Sequence, residues 1–203
     1  MSQAFAHTVY FIRHGETAFN ASGILQGQRD IPLNARGREQ AGAVGRYLRD
    51  AYGAEMARLD AAGAFWASPL SRARETIELA RAAMGLAPKA YRLDPRLKEL
   101  SFGAWEGRGW REVERADAAG YKARQRDKWD FTPPGGESYA TLTARVAEWL
   151  ATCKGDVFVA SHGGVGRALM ALLAGAPKNV ADSAAVWQGR ALIFAKGGCV
   201  WVG

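Results

Sequence analysis

One stretch, residues 8–20, restricts the possible folds of this chain more than any other. Residues 8–12 are β-branched or aromatic and almost wholly apolar, which is typical of a buried strand. Arg13, His14 and Gly15 follow at the point where that strand should end. An arginine presents a planar fork of donors that matches phosphate geometry, and a glycine permits a close approach of the backbone to a ligand or a positive φ. We therefore expect an anion site at the carboxyl end of this strand.

Short apolar runs alternate with helical segments along the rest of the chain. Five runs predict further strands, the last two as a hairpin: 64–67, 90–93, 156–160, 191–195 and 199–202. Asn34 is a suitable N-cap for the first long helix, with Gly53 in the turn region beyond it, and Ser68-Pro69 is typical of a helix start. Strands that alternate with helices favour the α/β class with a mainly parallel sheet. In such sheets ligands bind outside the carboxyl ends of the strands.

A second histidine stands in the same predicted position as the first. His162 follows a predicted strand, just as His14 does, and each is followed by a glycine. Arg72 also comes shortly after a strand, near the start of a helix, where Arg74 is its local competitor. Because the carboxyl ends of parallel strands meet at one edge of a sheet, we expect these side chains to converge with Arg13.

These segments resemble the signature of the histidine phosphatase superfamily, the phosphoglycerate-mutase-like proteins. The matching motifs are Arg13-His14-Gly15 with Glu16-Thr17 and Asn20, then Ser71-Arg72-Ala73, the stretch 97–107, and His162-Gly163. The resemblance implies a three-layer α/β/α fold. It also implies that His14 attacks a phosphoryl group and carries it as phosphohistidine, with His162 as the second active-site histidine. Arg72 matches the second phosphate-binding arginine of the family.

The same resemblance assigns further residues to the site. Glu99 matches the carboxyl group that acts as proton donor in the shorter, phosphatase-type members, and Glu106 is the rival acid. Gln26 and Gly27 fall where the family has a polar residue and a glycine whose backbone can contact phosphate. Asn20 is a further candidate for substrate binding.

Residues 108–137 form the least regular part of the chain, and they interleave basic residues with aromatic ones. We expect two short helices that form a small helical lid over the site, within a single domain that spans residues 1–203. The alternative is a satellite helical layer with solvated charges. Substrate selectivity is expected to reside in the lid, because the lid differs most among members of the family that the chain resembles.

The residues and the resemblance together predict a phosphomonoester hydrolase that acts on a small phosphorylated metabolite. Arg13 and Arg72 would supply the positive charge, so we expect neither a metal nor a cofactor. A cofactor-dependent phosphoglycerate mutase is the alternative within the family, and it is less favoured because residues 107–137 are short for the inserted basic segment of such mutases. A phosphate-binding protein without turnover is a third possibility, against which an intact His14 and Glu99 argue.

The composition limits the remaining possibilities. The formal charge of +7 fits a solvated basic surface, a basic cleft for a small anion, or nucleic-acid binding. Nucleic acid is not expected as a partner, because no zinc-finger spacing or RNA-recognition strand motif is present. No apolar run approaches the length of a membrane span, and residues 1–7 lack the pattern of a secretory signal. Two cysteines are too few for a disulfide framework, so a cytoplasmic protein is expected, with its substrate and oligomeric state left open.

Overall fold

The computed structural model of the protein describes residues 6–203, so the expectation for the start of the chain lies partly outside the described residues. The described part forms six strands: β1 (Val9–Arg13), β2 (Phe65–Ala67), β3 (Arg92–Leu93), β4 (Val157–Ser161), β5 (Ala191–Ala195) and β6 (Gly198–Val202). It forms eight α-helices: α1 (Ala18–Ala21), α2 (Ala35–Ala61), α3 (Ser71–Ala83), α4 (Trp110–Ala116), α5 (Ala118–Arg126), α6 (Tyr139–Thr152), α7 (Gly163–Leu173) and α8 (Lys178–Ala181). Within residues 6–203, no helix is both long enough and apolar enough to cross a membrane.

The strands form one sheet in the order β3-β2-β4-β1-β5-β6. The four strands from β3 to β1 run parallel to their neighbours, whereas β5 pairs antiparallel with β1 and with β6. Lys196 and Gly197, both with positive φ, form the tight turn between β5 and β6. This arrangement confirms the mainly parallel sheet and the predicted terminal hairpin.

Helices cover both faces of the sheet, because residues along the central strands alternate between two cores. Val9 and Phe11 of β1 face a core that contains the buried residues of α6 and α7. Tyr10 and Ile12 face a second core that contains those of α2 and α3. The two-residue period of β1 thus produces the three-layer α/β/α fold that the family resemblance implied.

The register of β1 and β4 fixes the geometry at the carboxyl edge of the sheet. Arg13 lies opposite Ser161, so the next residues of the two strands, His14 and His162, leave the sheet side by side. The backbone N–H of His14 continues the ladder by donating to the carbonyl of Ser161 over 2.8 Å. The predicted convergence of the two histidines therefore follows from one strand pairing.

Two helix boundaries differ from the sequence prediction. Helix α2 continues through Gly53 to Ala61, and the break in it occurs at Tyr52, whose φ of −137° and ψ of 29° are not helical. Helix α3 begins at Ser71, so Ser68 is not its N-cap. The Ser68 hydroxyl instead lies 2.7 Å from Nε2 of His162, because the residues after β2 are used to build the carboxyl edge.

We predict that two alanine substitutions three residues apart in α2 will have opposite effects on stability. A Cβ at Gly45 would lie 2.4 Å from the carbonyl oxygen of Ala80 in α3, so Gly45→Ala should cost about 1–3 kcal/mol of unfolding free energy through overpacking. A Cβ at Gly42 would meet only the flexible end of Arg46, so Gly42→Ala should stabilise by about 0.5–1 kcal/mol. Urea unfolding measures both; equal effects would show that α2 and α3 are not in backbone contact at Gly45.

Candidate active site

The hydrogen bonding of His14 determines which ring nitrogen is available for chemistry. Its Nδ1 lies 2.7 Å from the carbonyl oxygen of Gly15. A carbonyl only accepts, so in the neutral ring Nδ1 carries the proton and Nε2 keeps its lone pair. The side chain is 2% exposed, and it lines an open cavity of about 870 Å³ at the carboxyl edge of the sheet.

Two arginines line the cavity beside His14, and backbone carbonyls hold both of them. Arg13 donates from Nη1 to the carbonyl of Val186 over 2.8 Å. Arg72 donates from Nη1 to the carbonyl of Arg29 over 2.7 Å and from Nη2 to that of Gly27 over 2.8 Å. Among the described residues, neither guanidinium forms an ion pair with a carboxylate, and both Nε atoms are buried without a hydrogen-bond partner. Their charge is therefore fixed in place and available to an anion.

The cavity selects Arg72 over its competitor. Arg72 is fully buried at the start of α3 and lines the cavity. Arg74 is exposed, and a hydrogen bond with the Tyr91 hydroxyl raises its pKa. The structure thus places Arg72, as expected, and not Arg74 beside His14.

His162 packs against the ring of His14 and is fully buried. The two ring centroids are 5.1 Å apart with an interplanar angle of 59°. Its Nε2 pairs with the Ser68 hydroxyl, and its Nδ1 is buried without a partner among the described residues. The cavity wall includes the adjacent Gly163 but not His162 itself. In this structure His162 therefore packs against the ring of His14 without lining the cavity.

Burial and positive charge keep both imidazoles neutral. Desolvation is the main cause that holds the pKa of His14 well below its usual 6.5, followed by the charges of Arg72 and Arg13. The pKa of His162 is also well below that value, first through desolvation and then through the charge of Arg72. A neutral ring with a free lone pair is the form that a nucleophilic histidine requires.

The two candidate acids occupy different environments. Glu99 lines the cavity, and its Oε1 accepts hydrogen bonds from the backbone N–H of Leu100 and of Gly164, both over 2.9 Å. Glu106 lies outside the cavity wall and accepts from the N–H of Gln28 and of Phe102, both over 3.0 Å. Glu99 therefore faces the ligand space from the N-terminus of α7, whereas Glu106 ties two loops together.

The three predicted substrate-binding residues of the first loop all line the cavity. The amide oxygen of Gln26 accepts from the Thr17 hydroxyl over 2.9 Å, and that of Asn20 accepts from Gln188 over 3.0 Å. Because these bonds occupy the amide oxygens, the NH₂ groups are the parts of the two side chains that can donate to a ligand. Gly27 has a φ of +51°, and its carbonyl accepts a hydrogen bond from Nη2 of Arg72. The backbone contact that the structure shows for Gly27 is therefore with Arg72.

Gly15 has a different role from the one that the sequence suggested. Its φ is not positive, and its close contact is with α2: a Cβ there would lie 2.2 Å from the carbonyl oxygen of Gly37. The glycine thus lets the turn after β1 cross the start of α2 at backbone distance. That crossing holds the Gly15 carbonyl where it accepts from His14.

Sequence reasoning missed one residue that joins the parts of this site. The Thr76 hydroxyl accepts from the N–H of Gly15 over 3.0 Å and donates to the carbonyl of Arg72 over 2.7 Å. It thereby links the turn that carries His14 to the helix that carries Arg72. Its position one helical turn after Arg72 was the available signal, because residues i and i+4 share a face.

The lid expected at 108–137 contains the two predicted short helices, α4 and α5. Six of its aromatic and basic residues line the cavity together with Arg167 of α7: Trp110, Tyr121, Arg124, Arg126, Lys128 and Trp129. The segment therefore contributes one wall of the ligand space. Among residues 6–203, no group of three or more His, Cys, Asp or Glu side chains is arranged to hold a metal ion.

The profile of the histidine phosphatase superfamily, branch 1, matches residues 9–192. "Fructose-2,6-bisphosphatase TIGAR B" of Danio rerio is 37% identical over 149 residues, which are 72% of this chain and 52% of that protein. The chain therefore spans about half the length of that relative.

Two bacterial relatives and one solved structure match over more of the chain. "Adenosylcobalamin/alpha-ribazole phosphatase" of Escherichia coli (strain K12) is 32% identical, covering 90% of this chain and 84% of that protein. "Probable phosphoglycerate mutase GpmB" of Erwinia tasmaniensis is 32% identical, covering 84% and 76%. The crystal structure of the alpha-ribazole phosphatase from Shigella flexneri superposes with a TM-score of 0.78 at 29% identity, covering 95% of this chain and 93% of that one.

We predict that Arg72, and not Arg74, determines the affinity of the cavity for inorganic phosphate. Arg72→Gln should weaken phosphate binding by roughly 10- to 100-fold, because a charge-assisted pair is lost from a buried site. Arg74→Gln removes the same charge from an exposed position and should change the affinity by less than about twofold. Calorimetric titration at 0.15 M salt measures both, and circular dichroism checks that Arg72→Gln is folded. Equal losses in the two variants would contradict the assignment.

Proposed function

Because this chain belongs to branch 1 of the histidine phosphatase superfamily, we propose that it is a phosphomonoester hydrolase that acts through phosphohistidine on a small phosphorylated metabolite. One observation supports this most directly. Nδ1–H of His14 is committed to the Gly15 carbonyl, and the free Nε2 lies in a cavity that also holds Arg13 and Arg72. A neutral nucleophile beside two cations without carboxylate partners matches the needs of phosphoryl transfer.

In the first step Nε2 of His14 attacks phosphorus, and the bond between phosphorus and the ester oxygen breaks. The Gly15 carbonyl stabilises the imidazole as it becomes positive, because it accepts from Nδ1–H throughout. Arg13 and Arg72 stabilise the charge on the equatorial oxygens. Glu99, in its protonated form, gives its proton to the departing oxygen, so that an alcohol leaves.

In the second step water attacks the phosphohistidine and Glu99 accepts a proton from it. Inorganic phosphate leaves, and His14 and Glu99 return to their starting states. Two groups outside the reaction keep this geometry: Gly164 N–H donates to Glu99, and the Thr76 hydroxyl connects the His14 turn to Arg72. We propose that no metal is required, because the two arginines provide the charge that a metal would otherwise provide.

Two relatives that are named as phosphatases support hydrolysis, and one of them matches 90% of this chain. The relative named as a probable phosphoglycerate mutase makes phosphate return to a second hydroxyl the alternative. Release of inorganic phosphate from 3-phosphoglycerate, measured against formation of 2-phosphoglycerate, separates the two reactions.

We further propose that the protein works in the cytoplasm. Its two cysteines, Cys153 and Cys199, are both unpaired, which suits a reducing compartment. A small phosphorylated metabolite is then the partner that the proposed chemistry requires.

His14→Ala tests the nucleophile. In the wild type, rapid acid-free quenching with a ³²P-labelled monoester should trap one acid-labile, base-stable phosphoryl group per chain, as expected for phosphohistidine. His14→Ala should show no trapped phosphate and should lose at least about 10⁴-fold in turnover. Both proteins are assayed with and without excess EDTA. Full activity of His14→Ala, or loss of wild-type activity in EDTA, would refute the corresponding part of the mechanism.

Glu99→Gln tests the proton donor against a matched acid, Glu106→Gln. A glutamine oxygen can still accept from Leu100 and Gly164, so the geometry persists while the proton is lost. With glycerol 3-phosphate, Glu99→Gln should lose roughly 10²–10⁴ in turnover. With p-nitrophenyl phosphate, whose leaving group needs no proton, it should give a burst of one nitrophenol per chain and then slow hydrolysis. Glu106→Gln should show the wild-type ratio of the two substrates; the reverse pattern would assign the role to Glu106.

A further inference from the structure

The backbone of Glu99 is held by side chains from distant parts of the chain. Glu99 lies between the 3₁₀ helices Pro95–Leu97 and Gly103–Trp105, in a stretch without regular secondary structure. Its carbonyl accepts from Nη2 of Arg145 over 3.0 Å and from Nε2 of Gln28 over 3.1 Å. The path of the chain at Glu99 is therefore set by two side chains that lie far from it in sequence.

Arg145 of α6 holds this stretch at two points. Its Nη1 donates to the Arg96 carbonyl, and its Nη2 donates to that of Glu99, three residues further on. Its Nε and Nη2 also form a two-point pair with the carboxylate of Glu137, over 2.9 and 3.0 Å. Because a guanidinium is planar and its donors point in fixed directions, the pair with Glu137 sets the plane in which the two carbonyls are bound.

Glu137 holds the other end of the same stretch. Its Oε2 accepts from the backbone N–H of Ser101 over 3.0 Å, and its own N–H donates to the Ser101 carbonyl over 2.9 Å. Nε2 of Gln28 lies 3.4 Å from the same Oε2. The carboxylate therefore fixes Ser101 while it orients Arg145.

The three side chains lie outside the ligand space. Gln28, Glu137 and Arg145, which we call the clamp, are not part of the cavity wall, whereas Glu99 is. In the described part of the chain, Glu99 is the one cavity-lining residue to which the clamp side chains are hydrogen-bonded. The side chains of Arg145 and Glu137 are 16% and 19% exposed, so water and salt screen their pair only in part. An effect of the clamp on chemistry therefore passes through Glu99.

The carboxyl group of Glu99 depends on the clamped stretch as well as on α7. Its Oε1 accepts from the N–H of Leu100, which belongs to that stretch, and from the N–H of Gly164, which belongs to α7. A Cβ at Gly164 would lie 2.4 Å from Oε1, so the carboxyl group lies against the helix backbone. If the stretch moved, Leu100 would move with it and Gly164 would not. Both bonds persist only while the stretch keeps its distance from α7.

We propose that the three clamp residues are positioning residues, which hold Glu99 where it can protonate the leaving group of a phosphate at His14. The inference rests on the proposed function for the role of Glu99 as proton donor. An acid must lie within hydrogen-bond reach of the atom that it protonates. A misplacement of about 1 Å can cost roughly 100-fold in rate. The ion pair of the clamp thus serves the reaction through one loop, although it touches no reacting atom.

Arg145→Lys disrupts the clamp without removing its charge. A lysine can still pair with Glu137, but it has no planar fork that reaches both carbonyls. The matched control is Arg81→Lys in α3. Arg81 is fully buried, donates to the Ala87 carbonyl over 2.8 Å, pairs with Asp60 and lies outside the cavity wall. Both variants lose one buried fork, and only Arg145→Lys loses it beside the site.

Hydrogen exchange measured by NMR reports the position of the carboxyl group without any reaction. In Arg145→Lys the Gly164 amide should exchange at least about tenfold faster relative to the Gly166 amide, because its bond to the carboxylate opens more often. Gly166 is the internal reference, since its N–H donates to the His162 carbonyl over 3.0 Å. In Arg81→Lys a loss of global stability should affect the two amides alike. Unchanged relative exchange in Arg145→Lys would overturn the clamp.

Phosphoenzyme formation shows whether this position matters for proton transfer. With glycerol 3-phosphate, Arg145→Lys should form phosphoenzyme roughly 10- to 100-fold more slowly than the wild type. The nitrophenol burst from p-nitrophenyl phosphate, whose leaving group needs no proton, should stay within about threefold of the wild-type rate. A smaller folded fraction would reduce both signals equally, and Arg81→Lys should keep their ratio. In a Glu99→Gln background Arg145→Lys should cause no further loss with glycerol 3-phosphate, because the acid is already absent.

Gln28→Met provides a second clamp variant in case Arg145→Lys does not fold. It keeps the length of the side chain and removes its hydrogen bonds to the Glu99 carbonyl and to Glu137. It should shift the exchange ratio and the substrate ratio in the same directions, each by at least about threefold. Circular dichroism and thermal unfolding establish which variants are folded.

The outcomes distinguish the clamp from the proposed function. If folded clamp variants slow both substrates equally, or leave the relative exchange of Gly164 unchanged, the clamp is refuted, and phosphoenzyme formation at His14 is unaffected by that result. If the exchange of Gly164 rises but Glu99→Gln itself shows no selective loss with glycerol 3-phosphate, the clamp does position Glu99. The proposed proton donor then fails.

Discussion

The parallel pairing of β1 with β4 is the contact on which the rest of the site depends. It places Arg13 opposite Ser161 and brings the rings of His14 and His162 to a centroid distance of 5.1 Å. The same strand ends lead directly into the turn whose Gly15 carbonyl orients His14 and into α7, where the N–H of Gly164 donates to Glu99. A shift of one residue in this register would send every side chain of β1 to the opposite core. Hydrophobic alternation and catalytic geometry are therefore fixed by the same ladder.

Buried positive charge is the second constraint, and it explains the protonation state of the site. Arg13 and Arg72 are held by carbonyl dipoles and have no carboxylate partners among the described residues, so the protein compensates their charge only in part. Desolvation, and then the charges of these arginines, lower the pKa of His14, which keeps the proposed nucleophile neutral as the pH falls below 6.5. The uncompensated charge destabilises the free protein, and a bound anion relieves it. Anion affinity and a neutral nucleophile are two results of one arrangement.

Much of this could be predicted from the sequence, because the signals were local and periodic. The apolar run before His14 and the repeated strand-histidine-glycine pattern identified β1, β4 and the meeting of His14 with His162. Gly53 indicated a turn beside the observed break at Tyr52, but the deviation from helical geometry is confined to Tyr52 and the helix continues to Ala61. The crossing of Gly15 over Gly37 and the link through Thr76 are tertiary contacts between segments distant in sequence. The positions of Arg124 and Arg167 in the cavity wall could not be predicted either. An arginine that lines a cavity has the same local sequence pattern as one in solvent.

The lid segment and Arg72 contact the same loop, which connects the proposed determinant of selectivity to the proposed phosphate site. Leu25 exchanges backbone hydrogen bonds with the segment before α4, donating to the Arg108 carbonyl over 3.0 Å and accepting from the N–H of Gly107 over 2.8 Å. Two residues later, the Gly27 carbonyl holds Nη2 of Arg72. A substitution that repositions the start of α4 therefore acts on the loop that orients Arg72, the proposed phosphate-binding side chain. The lid is therefore not structurally independent of the site, because the residues before α4 are hydrogen-bonded to the same loop that holds Arg72.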